Sequence, residues 1–344
     1  MNQQSPPTPE HILKIATGFW ASKLLLAAVE FELFTRFSSE PMPALKLKKT
    51  LGLQCTDRHV YDFLDALVAL GFLTREGIWE NAVYANTPDT EFFLVRSKPS
   101  YIGGMVSMLN HRLYGFWGDL EEGLKTGKPQ NEAKEGGNLF EAVYSDPDNL
   151  KEFILSMRGV QMGSFMAFAG KFDFSGHQKL VDVGGSSGML SLLVAQNASH
   201  MQCITWDLPP VQSFAEETIQ GFGLQDRVTA QSGDFFKDAL PKGDIVVMGN
   251  ILHDWDEETK LMLLEKAYEA LDEGGCFVAI ENIIDDERRH NAFGLLMSVN
   301  MLIETGNGFD YSMADFKKWA EQTGFRSTSL LHLAGPSSAV IAYK

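Results

Sequence analysis

Apolar side chains across residues 12–34 recur at helical spacing, with Ile15, Trp20, Leu24, Ala28 and Phe31 among the repeats. They predict one helix, packed on a core or on a second copy of the chain. Ala44–Leu51 predicts a short helix, and Asp57 stands as an N-cap for another over 59–70, striped by Val60, Phe63, Leu64, Leu67 and Val68. Gly71 ends it, and runs at 72–74 and 78–87 predict a hairpin. Helices followed by a hairpin make a winged-helix-like pattern for residues 1–100. Residues 101–172 read as a helical linker rich in Met and aromatics, Tyr114, Trp117, Phe140, Tyr144 and Phe165 among them, mostly core with some pocket lining. Within it, 126–137 is the expected flexible loop. From Lys179 the rhythm changes. Apolar runs at 180–183, 203–206, 228–230, 245–248 and 276–280 alternate with helical segments, which is the βαβ rhythm of a parallel sheet. Two more strands, 327–333 and 339–343, flank Gly335-Pro336 and complete a seven-stranded, Rossmann-like α/β domain over 173–344.

Composition narrows the class. Hydrophobic residues at 44% and charged residues at 22% fit a globular chain. The net charge of −16 opposes nucleic-acid binding, which needs clustered Lys and Arg. The acidity is uneven: residues 1–110 carry 10 basic and 11 acidic side chains, the remainder 19 and 34. Lys46, Lys48 and Lys49 form the one basic cluster of the winged-helix-like part, so packing or dimerisation is expected of it rather than DNA binding. Cys55, Cys203 and Cys276 show no pairing pattern and no zinc spacing, which suits a reducing cytoplasm. The first residues carry no signal-peptide pattern, and no unbroken run approaches the ~18 apolar residues of a membrane span.

The first strand of the α/β part runs into Asp182-Val-Gly184-Gly185-Ser186-Ser187-Gly188 and then a helix. Glycines at such a junction let a ligand approach the backbone beside a helix N-terminus. The dinucleotide pattern G-x-G-x-x-G fails at Ser186 and Met189, and no G-K-[ST] of a P-loop follows. The acidic-x-G-x-G-x-G loop of S-adenosylmethionine-binding proteins fits, with Asp182, Gly184 and Gly188 in place and Ser186 for the middle glycine. The next strand ends at Asp207-Leu208, where a carboxylate can accept both ribose hydroxyls. After the third comes Gly233-Asp234-Phe235: the Asp can take an adenine amino group while the Phe packs on the ring.

Together with Asn250-Ile-Leu-His253-Asp254-Trp255 and Phe316…Gly324-Phe325, these motifs, in order, resemble the caffeate/acetylserotonin/hydroxyneurosporene type of small-molecule O-methyltransferase, including its bacterial natural-product-tailoring members. The likeness spans nearly the whole chain, and implies that the N-terminal part makes a homodimer. It implies His253 as general base, steered by Glu281 and Asp310. Plant members usually carry Glu at the latter place, so Asp310 has a shorter reach. They often carry Lys four residues before the His; here it is Gly249, which leaves only backbone contacts to the cofactor. Phe153, Met157, Asn300 and Met301 align with pocket positions.

Methyl transfer from a sulfonium is an in-line displacement, so placement of the acceptor oxygen matters most. A neutral phenol is a poor nucleophile, and a positioned His can take its proton, typically for ~10²–10⁴ in rate. A carboxylate on the other ring nitrogen fixes the tautomer. No metal is expected. The expected activity is therefore S-adenosylmethionine-dependent O-methylation of a small, aromatic acceptor. N- or C-methylation, or a non-methylating use of the cofactor, stays open on the same scaffold. So does a helix-capping role for Asp254 with Glu257, which would leave His253 a helix-start residue.

Overall fold

The computed structural model describes residues 6–98, 100–134, 136, 144 and 146–344. Phe140, and residues 135 and 137 of the expected flexible loop, lie outside the described residues. The chain forms two compact units, Met1–Tyr114 and Gly115–Lys344.

In the first unit the single helix expected over 12–34 is three: Glu10–Ala16, Gly18–Glu30 and Leu33–Ser39. The backbone breaks at Thr17 and again at Glu32, which adopts φ 51°. Ile15 and Trp20, expected in the apolar stripe, are exposed, while Ala28 and Leu33 are buried. The cap of Asp57–Ala69 also differs from the expectation. Thr56, one residue earlier, accepts the His59 N–H. Three short antiparallel strands, β1 (Met42–Pro43), β2 (Leu73–Glu76) and β3 (Val83–Asn86), lie in the order β1-β3-β2 and form the wing. Two of the cluster's three lysines are paired, Lys46 with Glu40 and Lys48 with Asp57. One stretch, Glu10–Glu30, is long and apolar enough by length and composition to cross a membrane, contrary to the sequence expectation. Its apolar residues are spread among Lys14, Thr17, Ser22 and Lys23, which hid them from a search for an unbroken run.

The second unit is built on a seven-stranded sheet: β4 (Lys179–Val183), β5 (Gln202–Asp207), β6 (Val228–Ser232), β7 (Gly243–Gly249), β8 (Leu271–Glu281), β9 (Ser327–Ala334) and β10 (Ser337–Tyr343). Their order is β6-β5-β4-β7-β8-β10-β9. The first five pair in parallel, and β10 is antiparallel to both β8 and β9. Alternate residues of each strand feed opposite cores. Leu180, Cys203, Ile245, Val247 and Val278 meet Phe168, Leu190 and Val194 on one face; Val181, Ile204, Val246 and Phe277 meet Leu263, Phe316 and Trp319 on the other. Both faces being covered, the strands read as near-continuous apolar runs. Each such side chain contributes about 1.5–3 kcal/mol on burial. The last strand is tied down through Lys344, whose N–H donates to Gly275 and whose ammonium donates to the carbonyls of Tyr268 and Leu271.

The strand order reverses between β4 and β7. In such sheets the crevice beyond the carboxyl ends of the strands at that point receives ligands.

Candidate active site

At the end of β4 the backbone turns back so tightly that only glycine fits. Gly184 has φ 69° and Gly188 φ 76°. A Cβ on Gly184 would lie 2.3 Å from Ile251 Cδ1, and one on Gly185 2.2 Å from Thr205 Oγ1. Asp182 lies beneath this loop, fully buried, accepting the Ser191 hydroxyl at 3.2 Å. Burial pushes its carboxyl up to about 7. Asp207 ends β5 and ties the loop to its own strand: one oxygen accepts the Ser186 N–H at 2.8 Å, the other the Leu208 N–H at 2.7 Å. Burial raises it to about 6, against the opposing pull of those two bonds.

Beyond β6, a Cβ on Gly233 would overlap the Trp206 ring at 2.3 Å, so glycine here seats an indole. Asp234 is held by Lys237 at 2.8 Å and accepts the Phe236 N–H. Phe235 and Phe236 pack edge-on against Trp255, with centroids 5.9 and 4.9 Å away. Trp255 and Phe236 join the site unpredicted. At the end of β7, the Gly249 carbonyl accepts from Gln161 at 3.1 Å, and a Cβ there would lie 2.9 Å from the Phe165 ring. A lysine at 249 would need that ring to move.

His253 sits on the turn Leu252–Asp254 after β7 and is buried. Asp310 reaches it: Oδ1 lies 3.4 Å from Nδ1. Glu281, at the end of β8, accepts the backbone N–H of His253 at 3.1 Å. It holds the turn rather than the ring. The second carboxylate at the ring is Asp254, with Oδ1 3.6 Å from Nε2. Asp254 therefore does not cap the following helix; Asp256 does, accepting the Thr259 N–H at 2.9 Å. The signal for Asp254 was its place in the His-Asp-Trp string, and a cap two residues on was the competing reading. Burial disfavours charge on the ring, but Asp310, Asp254 and Glu281 outweigh it and push the imidazole up to about 10. Burial likewise pushes Asp254 up to about 7. Tyr311, whose hydroxyl faces the Glu281 charge, is raised well above the usual phenol range, first by burial.

The loop that brings Asp310 to the ring depends on Gly308. A Cβ there would lie 2.5 Å from the His253 carbonyl oxygen and 2.6 Å from that of Asp254. Backbone cannot yield cheaply, so Gly308→Ala is expected to cost about 1–3 kcal/mol of stability and to push the loop off His253. Melting and turnover should fall together; an unchanged melting temperature would contradict the packing.

The sign of the pH effect follows from the raised imidazole. The charged ring's pairing contributes fully below about 6.5, the unfolded value, and is lost as pH rises through about 10. Wild-type melting temperature should therefore fall more steeply between about pH 7 and 10 than that of His253→Gln. Parallel slopes in thermal melts would count against the pairing.

Phe153 and Met157 lie half-buried on Pro147–Lys171, while Asn300 and Met301 are buried on Ala292–Glu304. The Asn300 amide oxygen accepts the Trp117 indole N–H at 2.8 Å. Among the described residues, no hydrogen bond, ion pair or ring contact joins these four to His253. Tyr144, half-buried, packs on Phe153 with centroids 6.2 Å apart, and its hydroxyl feels both Asp207 and Asp254.

Residues 117–326 match the family described as O-methyltransferase domain, and residues 13–96 the one described as O-methyltransferase dimerisation domain. The chain is 34% identical over 336 residues to the tetracenomycin polyketide synthesis 8-O-methyl transferase TcmO of Streptomyces glaucescens, covering 98% of this chain and 97% of the relative. It is 30% identical to the N,N-dimethyltransferase OxyT of Streptomyces rimosus, covering 92% and 90%. The crystal structure of human N-acetylserotonin methyltransferase in complex with SAM superposes with a TM-score of 0.89 at 26% identity, covering 100% of this chain and 99% of that one.

Proposed function

The chain belongs to the O-methyltransferase family, and on that premise we propose that it methylates a hydroxyl of a small aromatic acceptor from S-adenosylmethionine, with His253 as general base. The observation that carries this is the His253 ring set between Asp310 and Asp254 at the end of β7, in the crevice that Asp207 and the glycine loop also border.

The chain's own residues fit the cofactor. Gly184, Gly185 and Gly188 leave backbone of the loop bare of side chains, and Asp207, which already ties that loop to β5, would accept ribose hydroxyls. Phe235 offers a ring face to adenine, and Asp234 would take the amino group by sharing its carboxylate with Lys237. Leu208, Gly233 and Gly249 line the same strand ends. When bound, S-adenosylmethionine supplies an electrophilic methyl group on a positively charged sulfur.

His253 takes the acceptor's proton. Asp310 holds Nδ1, so the Nε2 side faces the acceptor, with Asp254 steadying the imidazolium. The ring must first be neutral, and its carboxylates hold its proton to about 10. Phe153, Met157, Asn300 and Met301 supply the apolar wall. A nitrogen acceptor is a second reading, favoured by the likeness to an N,N-dimethyltransferase.

Incubating the protein with S-adenosylmethionine and a panel of phenols, hydroxyquinones, hydroxy-heteroaromatics and arylamines, and measuring S-adenosylhomocysteine, tests both. Turnover with a hydroxyl acceptor supports the first reading; turnover with arylamines alone supports the second. Failure to bind the cofactor overturns both. The first unit's exposed Ile12, Ile15, Phe19 and Trp20 supply an apolar face for a homodimer. Light scattering should give twice the 38.2 kDa of one chain.

A further inference from the structure

A second buried cation lies beside His253. Lys260, in the helix Glu257–Ala270, is fully buried, where lysine is almost never found without compensation. Its ammonium donates to the Trp255 carbonyl and lies 3.5 Å from the centroid of the Phe309 ring and 5.9 Å from that of Trp319. Trp255 stands two residues after His253, and Phe309 immediately precedes Asp310. The ammonium therefore touches both segments that meet at the imidazole. We propose that Lys260 is a positioning residue for the base: its side chain joins the His253 turn to the Asp310 loop and so keeps Asp310 against the imidazole.

This rests on the reading of His253 as base. A merely space-filling role does not account for the ammonium. Leu or Met would fill the same volume without desolvating a charge, which costs several kcal/mol unless compensated. Compensation is present. The Phe309 face attracts a cation. The charges of Glu281 on β8, Asp310 on the loop, Asp254 on the His253 turn and Asp256 at the helix cap all favour the ammonium. Burial pulls Lys260 down to about 8 against them, so it carries its charge at neutral pH. A tether runs the same way nearby, since Asn307 donates to Asp256 at 3.0 Å. Without the Lys260 tether the Asp310 loop moves off the ring, and the ring gives up its proton at lower pH.

The test compares Lys260→Met, which keeps the stem, Lys260→Gln, which keeps a donor to Trp255, and Lys260→Arg, which keeps the charge. The His253 ring is titrated by NMR in full-length, ¹⁵N-histidine-labelled protein, its signal assigned by its loss in His253→Gln. S-adenosylhomocysteine binding and a cooperative melt certify the fold. In the Met and Gln variants the midpoint should fall by about one pH unit, since neither side chain bridges Trp255 and Phe309 and Asp310 loses its hold on the ring. Arg should leave it in place. An unmoved midpoint in Met and Gln, or an equal shift in Arg, overturns the proposal. Should Met fail to fold, Gln decides. Wild-type turnover in His253→Ala would sink the base reading separately, without touching this measurement.

Discussion

His253→Ala is expected to lower kcat by about 10²–10⁴-fold while S-adenosylhomocysteine binding changes by less than about threefold. Among the described residues, the ring is the one imidazole held between carboxylates at a strand end of the crevice. Removal leaves Asp310 and Asp254 buried without their cation, and Asp254 already sits near about 7. Asp254 can take up a proton instead of remaining charged, which limits the damage to stability. His253→Gln fills more of the space and should lose activity to a similar degree. Calorimetry with S-adenosylhomocysteine beside single-turnover rates separates the two effects. A drop below about tenfold in kcat would transfer the proton to another group.

The second large effect concerns binding. Asp207→Ala should weaken S-adenosylhomocysteine affinity by about 10²-fold or more, since charged hydrogen bonds contribute about 1.5–3 kcal/mol each. The substitution removes the expected ribose contact and also frees the N–H groups of Ser186 and Leu208. The loop at the end of β4 then loses its tie to β5. Asp207→Asn keeps one acceptor and should lose less. Both are read by calorimetry, and an affinity within threefold of wild type in Asp207→Ala would remove this carboxylate from the cofactor site.

The sheet was legible because its inner strands are buried on both faces, so each is an apolar run whose ends the sequence marks to within a few residues, while the edge strands β6 and β9 are largely exposed. Leu271 is the exception: β8 starts before its apolar run, through Gly274 and Gly275. The glycine loop was legible for a steric reason, as backbone with positive φ leaves few choices of residue. Local readings failed where tertiary contacts decide. Nothing in the periodicity of residues 12–34 announces breaks at Thr17 and Glu32. The caps fell on Thr56 and Asp256 rather than on the neighbouring Asp57 and Asp254, since several capping residues stood side by side. The crowding at Gly308 and the burial of Lys260 against Phe309 depend on segments distant in sequence, and helical spacing carries no sign of them.

One consequence of the strand order concerns synthesis. β10 is the last strand made, yet it lies between β8 and β9, with Ser338 opposite Glu281. Until a ribosome has passed Tyr343, β8 keeps an open edge, and the glutamate that holds the His253 turn sits on a strand with one neighbour missing. A nascent chain halted before Ser337 therefore offers a sticky edge to other chains, together with an unfinished base.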